Sequence, residues 1–306
     1  MLLDVPPDRL DTLAPTLSAA LERGRIVHFP ECPLPLPSPE DQSFLRDELG
    51  RHLGRKNVSW YPDGNRLVGV DAGGPIRERA RTILKRHAAE VDRLLGRLMP
   101  RFMRGARRGT SSFRPVQERG RQLSSHASNE LVHVDAGAYG ATHGDRILRF
   151  FVNLNPTEDR VWASRGSFAE LFRRHAAEAG ITASPLALKP HVMERAWSGL
   201  LQGLTGTFPA ARLIDTSPYD RLMRRFHNFM KDSRTFRDST QGRQTFSFRP
   251  YSAWVVLTDT VSHACLSGQH ALVDTLVVPL ANCTELDEAP MYVLAGSAPS
   301  RSRAAA

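Results

Sequence analysis

Apolar residues recur along this chain at two different periods, and the change of period divides it into segments. Leu10, Leu13, Leu17 and Leu21 fall at helical spacing and predict a helix over residues 8–24 that Gly24 can stop. Arg25–Pro30 reads as a short strand, with His28 alternating among apolar neighbours as a structural residue, and residues 55–61 read as another strand before the Pro62–Asn65 turn. Ile76, Ala80, Ile83, Leu84, Val91, Leu94, Leu95 and Leu98 share one face of a long amphipathic helix running from Ile76 to Met103. Arginines crowd its other side, which predicts a solvated helix packed on a sheet rather than a nucleic-acid surface. Beyond a basic run from Arg101 to Arg108 the period shortens. Ser112–Val116 opens a β-rich region that continues through Gly120–Leu123 toward a strand around His133. Arg146–Pro156 is nearly continuous in apolar and β-favouring residues and is placed centrally in a sheet. Helical spacing returns over Ser167–Ala179, Leu186–Leu204 and Tyr219–Lys231, then strands over Gln244–Arg249, Ser252–Thr258 and Ala271–Leu280. The Ser/Ala/Arg-rich stretch from Ser297 to Ala306 is expected to be disordered.

Strands, a helical insertion at about 166–235, and strands again suit a mainly β fold with helices. The expected architecture is a double-stranded β-helix (jelly-roll) core in one domain, residues 1–296, with N-terminal helices. The length of 306 residues allows one large domain with a real core. Lys+Arg is 41 and Asp+Glu 32, a formal charge of 41 − 32 = +9, which favours anionic partners: phosphate, carboxylate, an acidic membrane surface or nucleic acid. Three widely spaced cysteines, Cys32, Cys265 and Cys283, support neither a disulfide framework nor a zinc cluster and point to a reducing compartment. Met1–Pro7 lacks the basic start and apolar core of a signal peptide, and no run of 18 apolar residues exists, so a cytoplasmic protein is expected.

The chemistry is concentrated in Leu131-Val132-His133-Val134-Asp135-Ala136 and Val261-Ser262-His263-Ala264. On a strand, residues two apart point to the same face, so His133 and Asp135 aim at one spot. A third ligand must come from a neighbouring strand, and His263, flanked by small residues, has room for a metal beside it. His143, His227 and His270 are the competitors; His143 can serve instead as a donor to the ligands. Two imidazoles and a carboxylate with open positions beside them form the facial triad of non-haem Fe(II) oxygenases. Such iron needs a two-electron co-substrate to activate O2, and 2-oxoglutarate needs a cation for its far carboxylate, best an arginine fork. Residues 264–300 contain no Lys or Arg, so the anchor is sought on the central strand, in Arg149 or, failing it, Arg146. The two differ by three positions and face opposite ways on a regular strand.

At these residues the chain resembles the Fe(II)/2-oxoglutarate-dependent hydroxylases of 3-deoxy-D-manno-oct-2-ulosonic acid (Kdo). The resemblance lies in His133-Val134-Asp135-Ala136, Thr142-His143-Gly144, Arg146-Ile147-Leu148-Arg149, Asn153-Leu154-Asn155-Pro156 and Arg160-Val161-Trp162. Phe113-Arg114-Pro115-Val116, Thr258-Asp259, Val261-Ser262-His263-Ala264 and Ser267-Gly268-Gln269 extend it, so that it covers roughly residues 50–290. It implies His133, Asp135 and His263 as iron ligands and hydroxylation at C3 of Kdo, with 2-oxoglutarate converted to succinate. The implied substrate is Kdo-lipid A or another acidic glycan, met at the inner-membrane surface, with Arg114 and Lys56 as candidate substrate contacts. Ser124–Glu130 and Gly137–Ala141 depart from the family's pattern at the expected mouth of the site. Two alternatives stand beside this reading: a related oxygenase acting on another small molecule or glycan, and a non-catalytic jelly-roll sugar-binding protein.

Overall fold

A computed structural model describes residues 1–137, 140–185 and 217–296. The described residues form eleven strands: β1 (Leu2–Asp4), β2 (Ile26–Phe29), β3 (Val58–Tyr61), β4 (Arg66–Val68), β5 (Arg107–Arg114), β6 (Arg146–Asn153), β7 (Arg160–Ser164), β8 (Gln244–Phe248), β9 (Ala253–Leu257), β10 (Ala264–Ser267) and β11 (Ala271–Val278). Eight of them build a mixed sheet in the order β1-β2-β9-β6-β11-β5-β3-β4, and the other three a small sheet, β10-β7-β8. The helices that position these sheets are α1 (Leu10–Glu22), α2 (Pro39–Ser43), α3 (Gly74–Leu98), α4 (Phe168–His175), α5 (Pro218–Asp232), α6 (Arg234–Asp238) and α7 (Pro290–Ala295).

β6 lies inside the large sheet, between β9 and β11, as its unbroken apolar run requires. Its alternate side chains feed two cores. Leu148, Phe150 and Val152 pack with Leu17 and Leu21 of α1 and with Ile83, Leu84, Val91 and Leu95 of α3. Phe151 points the other way, into a core shared with Trp254 and Val273 of the large sheet and Trp162, Phe248 and Cys265 of the small one. This second core is the layer between the two sheets, and its rings stack closely, with Phe248 and Trp254 centroids 3.9 Å apart. The long helix α3 packs its apolar face on the sheet as its periodicity predicts. It stops at Leu98 rather than Met103, because Pro100 disfavours helical backbone at the residue before it.

The helices after β7 form a third core, in which Phe168, Leu171 and Phe172 of α4 meet Tyr219, Met223, Phe226 and Met230 of α5 and Leu294 of α7. Capping boxes start both longer helices: Ser167 with Glu170 and Ser217 with Asp220. The predicted helix over Leu186–Leu204 and the tail from Ser297 lie outside the described residues.

Several expectations are corrected. The β structure before the triad starts earlier, at Arg107, and takes in the end of the basic run, where the buried Arg108 side chain pairs with Asp92 and Asp274. Among the described residues of 115–145 there is no extended strand, and Gly120–Leu123 lies in a loop. Pro115 has no N–H for a ladder, and Gly120 takes a left-handed φ of 74°, so the alternation there has no partner strand to act on. The short strands β1, β4 and β10 and the helix α7 were not legible in the pattern.

Candidate active site

His133 and His263 form an isolated antiparallel bridge, each donating its N–H to the other's carbonyl, at 3.0 and 2.8 Å. The alternation inferred for this stretch holds without a continuous strand. Val134 is buried in the helical core while His133 and Asp135 point the opposite way. Two further bonds hold the segment: Asp135 N–H donates to the Thr258 carbonyl at 2.8 Å, and the Val134 carbonyl pairs with Nδ1 of His227 at 2.6 Å. The helical insertion therefore pins the ligand segment from behind, through Val134 and His227.

The three predicted ligands converge. One donor atom from each of His133, Asp135 and His263 lies within 4.8 Å of the others, and all three residues are buried. Nδ1 of His133 sits 2.7 Å from the Leu131 carbonyl, and Nδ1 of His263 sits 3.0 Å from that of Val261. A carbonyl only accepts, so both Nδ1 atoms carry the hydrogen and both Nε2 lone pairs face the common point, as in ligand imidazoles. Burial pushes both imidazoles toward the neutral form. His133 falls well below its usual value, helped by the nearby His263, and His263 falls to about 4, against the pull of Asp135. Asp135 behaves oppositely. Burial alone would raise its carboxyl, but Arg149 and the two imidazoles outweigh that and hold it below the usual carboxylate range. Neutral imidazoles beside an ionised carboxylate are the protonation states a divalent cation needs. Oδ2 of Asp135 is buried without a hydrogen bond among the described residues and forms an ion pair with Arg149 at 2.9 Å. The Trp162 ring stacks on His263 at 5.2 Å and that of His227 meets the edge of His133 at 5.1 Å, fixing both ligand rings.

Of the other histidines weighed for the third place, His227 stands behind the ligand segment, and His270 stacks on Phe113 at 6.1 Å. His143 donates its backbone N–H to Asp220.

The two arginines of β6 separate as their spacing requires. Arg149 lies on the face of Phe151, toward the triad. Arg146, the fallback anchor, projects from the opposite face, fully buried, with Nε 2.7 Å from Asp259 and Nη2 bonded to Thr260. Its charge is committed to Asp259. Arg149 has Thr275 as its cross-strand neighbour on β11, and the buried Thr275 hydroxyl has no partner among the described residues.

Arg114 and Lys56 fall in one basic cluster with Arg149, together with Arg160 and Lys231, which the pattern did not single out. Arg114 lies 5.8 Å over the Phe151 ring, and burial with the repulsion of Arg149 and Arg160 lowers it to about 10. Lys56 donates to the Ala127 carbonyl at 3.2 Å, and burial, opposed by Glu118 but aided by Arg114, lowers it to about 8. Glu118 sits among them, 3.8 Å from Lys56, 3.7 Å from Arg121 and 3.6 Å from Arg160. Arg160 is fully buried, and among the described residues none of its three nitrogens has a hydrogen bond. Its strand position shows why it faces inward: it is two residues from the buried Trp162, so parity alone would have found it. Buried cations with open donors create a demand for anions that Glu118 and Asp135 only partly meet.

Comparison with known proteins agrees with this geometry. Solved structures of the Kdo hydroxylase KdoO, a non-haem Fe(II) alphaketoglutarate-dependent dioxygenase, superpose over 96% of this chain and 94% of theirs. The cobalt(II) complex has a TM-score of 0.79 and 25% identity, and the apo form 0.78 and 25%. The complex with alphaketoglutarate and Fe(III) has 0.78 and 24%. The likeness bears out the sheet-rich fold with helices. No curated protein matches the chain. Residues 8–299 match the family described as 3-deoxy-D-manno-oct-2-ulosonic acid (Kdo) hydroxylase, and with nearly its whole length accounted for, the chain belongs to that family.

Proposed function

We propose that this chain is an Fe(II)/2-oxoglutarate-dependent dioxygenase that hydroxylates C3 of Kdo in Kdo-lipid A. The observation that carries the reading is the convergence of His133, Asp135 and His263 beside a cluster of buried, incompletely paired arginines. His133 and His263 would hold Fe(II) through Nε2, and Asp135 through its carboxylate. The metal supplies O2 activation at the expense of 2-oxoglutarate, with decarboxylation to succinate. The chain's own residues bind, orient and exclude water. Arg149, with the Thr275 hydroxyl beside it, takes the far carboxylate of 2-oxoglutarate. Arg114 and Lys56 take the carboxylate of the acidic sugar, and burial strengthens both contacts. Trp162 and the aromatic layer beneath keep the metal side of the cluster dry. A dry site protects a reactive centre from side reactions with water.

Among the described residues no helix is long and apolar enough to cross a membrane. The lipid-linked substrate and the net charge of +9 favour peripheral contact with an anionic inner leaflet from the cytoplasmic side.

Mass spectrometry of lipid A–Kdo from cells expressing the protein tests the reading. One added oxygen on Kdo with wild type, and none with His133→Ala, is expected. Succinate release on a different acceptor with unmodified Kdo would refute the substrate, and absence of both would refute the activity.

A further inference from the structure

A second basic site stands on the other side of the ligand segment. Leu131 and Val132, the two residues before His133, form one wall of a cavity of about 60 Å³ that Glu130, Arg165, Arg237 and Arg243 also line. Arg165 follows β7 and is buried, at 3% exposure. It is built in from all sides. Its backbone N–H donates to Ser262 Oγ at 3.0 Å, next to His263. Its guanidinium donates from Nε to the Gln241 carbonyl at 3.1 Å, from Nη1 to the Phe236 carbonyl at 2.6 Å and from Nη2 to Ser239 Oγ at 3.1 Å. The group also lies 4.2 Å over the Phe236 ring. Three of its five N–H donors are used, and all on neutral partners, so a buried cation keeps two donors and no counter-charge among the described residues.

The surroundings add charge of the same sign. Gly242, at φ +71°, turns the loop after α6 across Arg165, and the Arg243 N–H closes that turn on the Thr240 carbonyl at 3.0 Å. Arg243 and Arg174 both lower the Arg165 guanidinium, after burial itself. The side chains of Arg237 and Arg243 are exposed and make no hydrogen bond or close ion pair among the described residues; Asp232 feels Arg237 only as a weak long-range charge. Glu130 is the one carboxylate among the lining residues, and its Oε1 accepts the Gly120 N–H at 3.1 Å. Three lining arginines against one carboxylate leave the cavity in want of an anion of about two charges. Its volume equals several water sites, enough for a tetrahedral oxyanion.

We propose that Arg165, Arg237 and Arg243 form a phosphate cradle that docks a phosphomonoester of the lipid-linked glycan while its acidic sugar enters the metal site. The arginine forks match phosphate oxygens in pairs, and a doubly charged anion satisfies both the idle donors of Arg165 and the surplus charge. Phosphate and reacting carbon would then be read on opposite sides of the Leu131–His133 backbone, so one short segment sets the distance between them. This inference rests on the Kdo-lipid reading for the identity of the ligand, but not for the existence of the site.

The test uses Arg237→Gln/Arg243→Gln, both exposed positions, with Arg101→Gln/Arg104→Gln as a control of equal charge change. Calorimetry with inorganic phosphate, run with 2-oxoglutarate saturating the triad side, is expected to show binding in wild type and in the control, weakened at least about tenfold in the cradle variant. Phosphatidylcholine vesicles carrying Kdo-lipid A, with its phosphates intact or removed, form the second arm. Wild type is expected to show a KM about tenfold lower for the phosphorylated acceptor, and the cradle variant to lose that preference. Equal weakening in the control, or phosphate affinity unchanged in the cradle variant, overturns the proposal. So does phosphate binding without any preference for the phosphorylated lipid, which would mark a site for free phosphate. Should no Kdo lipid be hydroxylated while phosphate binding is lost in the cradle variant alone, the substrate reading fails and the anion site stands.

Discussion

Glu118→Gln strips the basic cluster of the carboxylate that holds Lys56, Arg121 and Arg160 together. The side chain is 2% exposed, and its three cationic neighbours lie at 3.6–3.8 Å. At an effective dielectric of about 20, a unit pair at this distance is worth ~4.5 kcal/mol before desolvation. Burying the carboxylate costs several kcal/mol in return, and Lys56 and Arg121 are partly screened by solvent. Removing one partner of a buried ion pair typically destabilises by about 3–5 kcal/mol, because the opposite charge stays buried and alone. We expect ~3 kcal/mol, since Arg160 is the only one of the three fully out of water. For a chain of this size that lowers Tm by roughly 5 °C. Denaturant unfolding at neutral pH reads it directly. The pH dependence gives an internal check. Burial would raise the Glu118 carboxyl, but Arg114, Lys56 and Arg160 outweigh it and hold it below its ordinary value of 4.5. A carboxyl depressed on folding contributes stability that is present above its unfolded value and lost as pH falls through the folded one. The gap between wild type and Glu118→Gln should therefore be full above about pH 5 and narrow on further acidification. 2-Oxoglutarate should stabilise the variant more than wild type, because it supplies the missing negative charge. A loss below ~1 kcal/mol, or a gap that stays constant from neutral pH down to the acid range, would refute the view that the cluster is short of anions.

Arg149→Lys keeps the charge but loses the fork, and should raise the KM for 2-oxoglutarate about tenfold, measured by succinate release. Lys56, lowered to about 8, is charged below that pH and neutral above it, so KM for the acidic acceptor should rise as pH passes through about 8; Lys56→Arg should move that rise beyond the measurable range. Divalent metal should raise the Tm of wild type in proportion to the logarithm of its concentration, and leave His263→Ala unmoved. Phe226→Ala, at a fully buried position in the helical core behind Val134, should cost about 3–5 kcal/mol in denaturant unfolding.

Much of this protein was determined by local pattern. The central place of Arg146–Asn153 follows from a run that is apolar on both faces, and the packing of α3 from its 3.6-residue period. The opposite fates of Arg146 and Arg149 follow from their odd spacing. The pairing of His133 and Asp135 also survives from alternation, since Val134 turns into the helical core while its neighbours turn out. What tertiary structure alone decided is what those side chains meet. His263 reaches His133 through a single bridge between two loops, a contact across 130 residues that no periodicity encodes. Asp259 claims Arg146, and Glu118 draws Lys56 and Arg160 from distant segments to join its own neighbours Arg114 and Arg121, because burial makes an unpaired charge too costly to leave alone. Period reports which way a side chain points, but charge balance in a dry interior depends on every segment that closes around it.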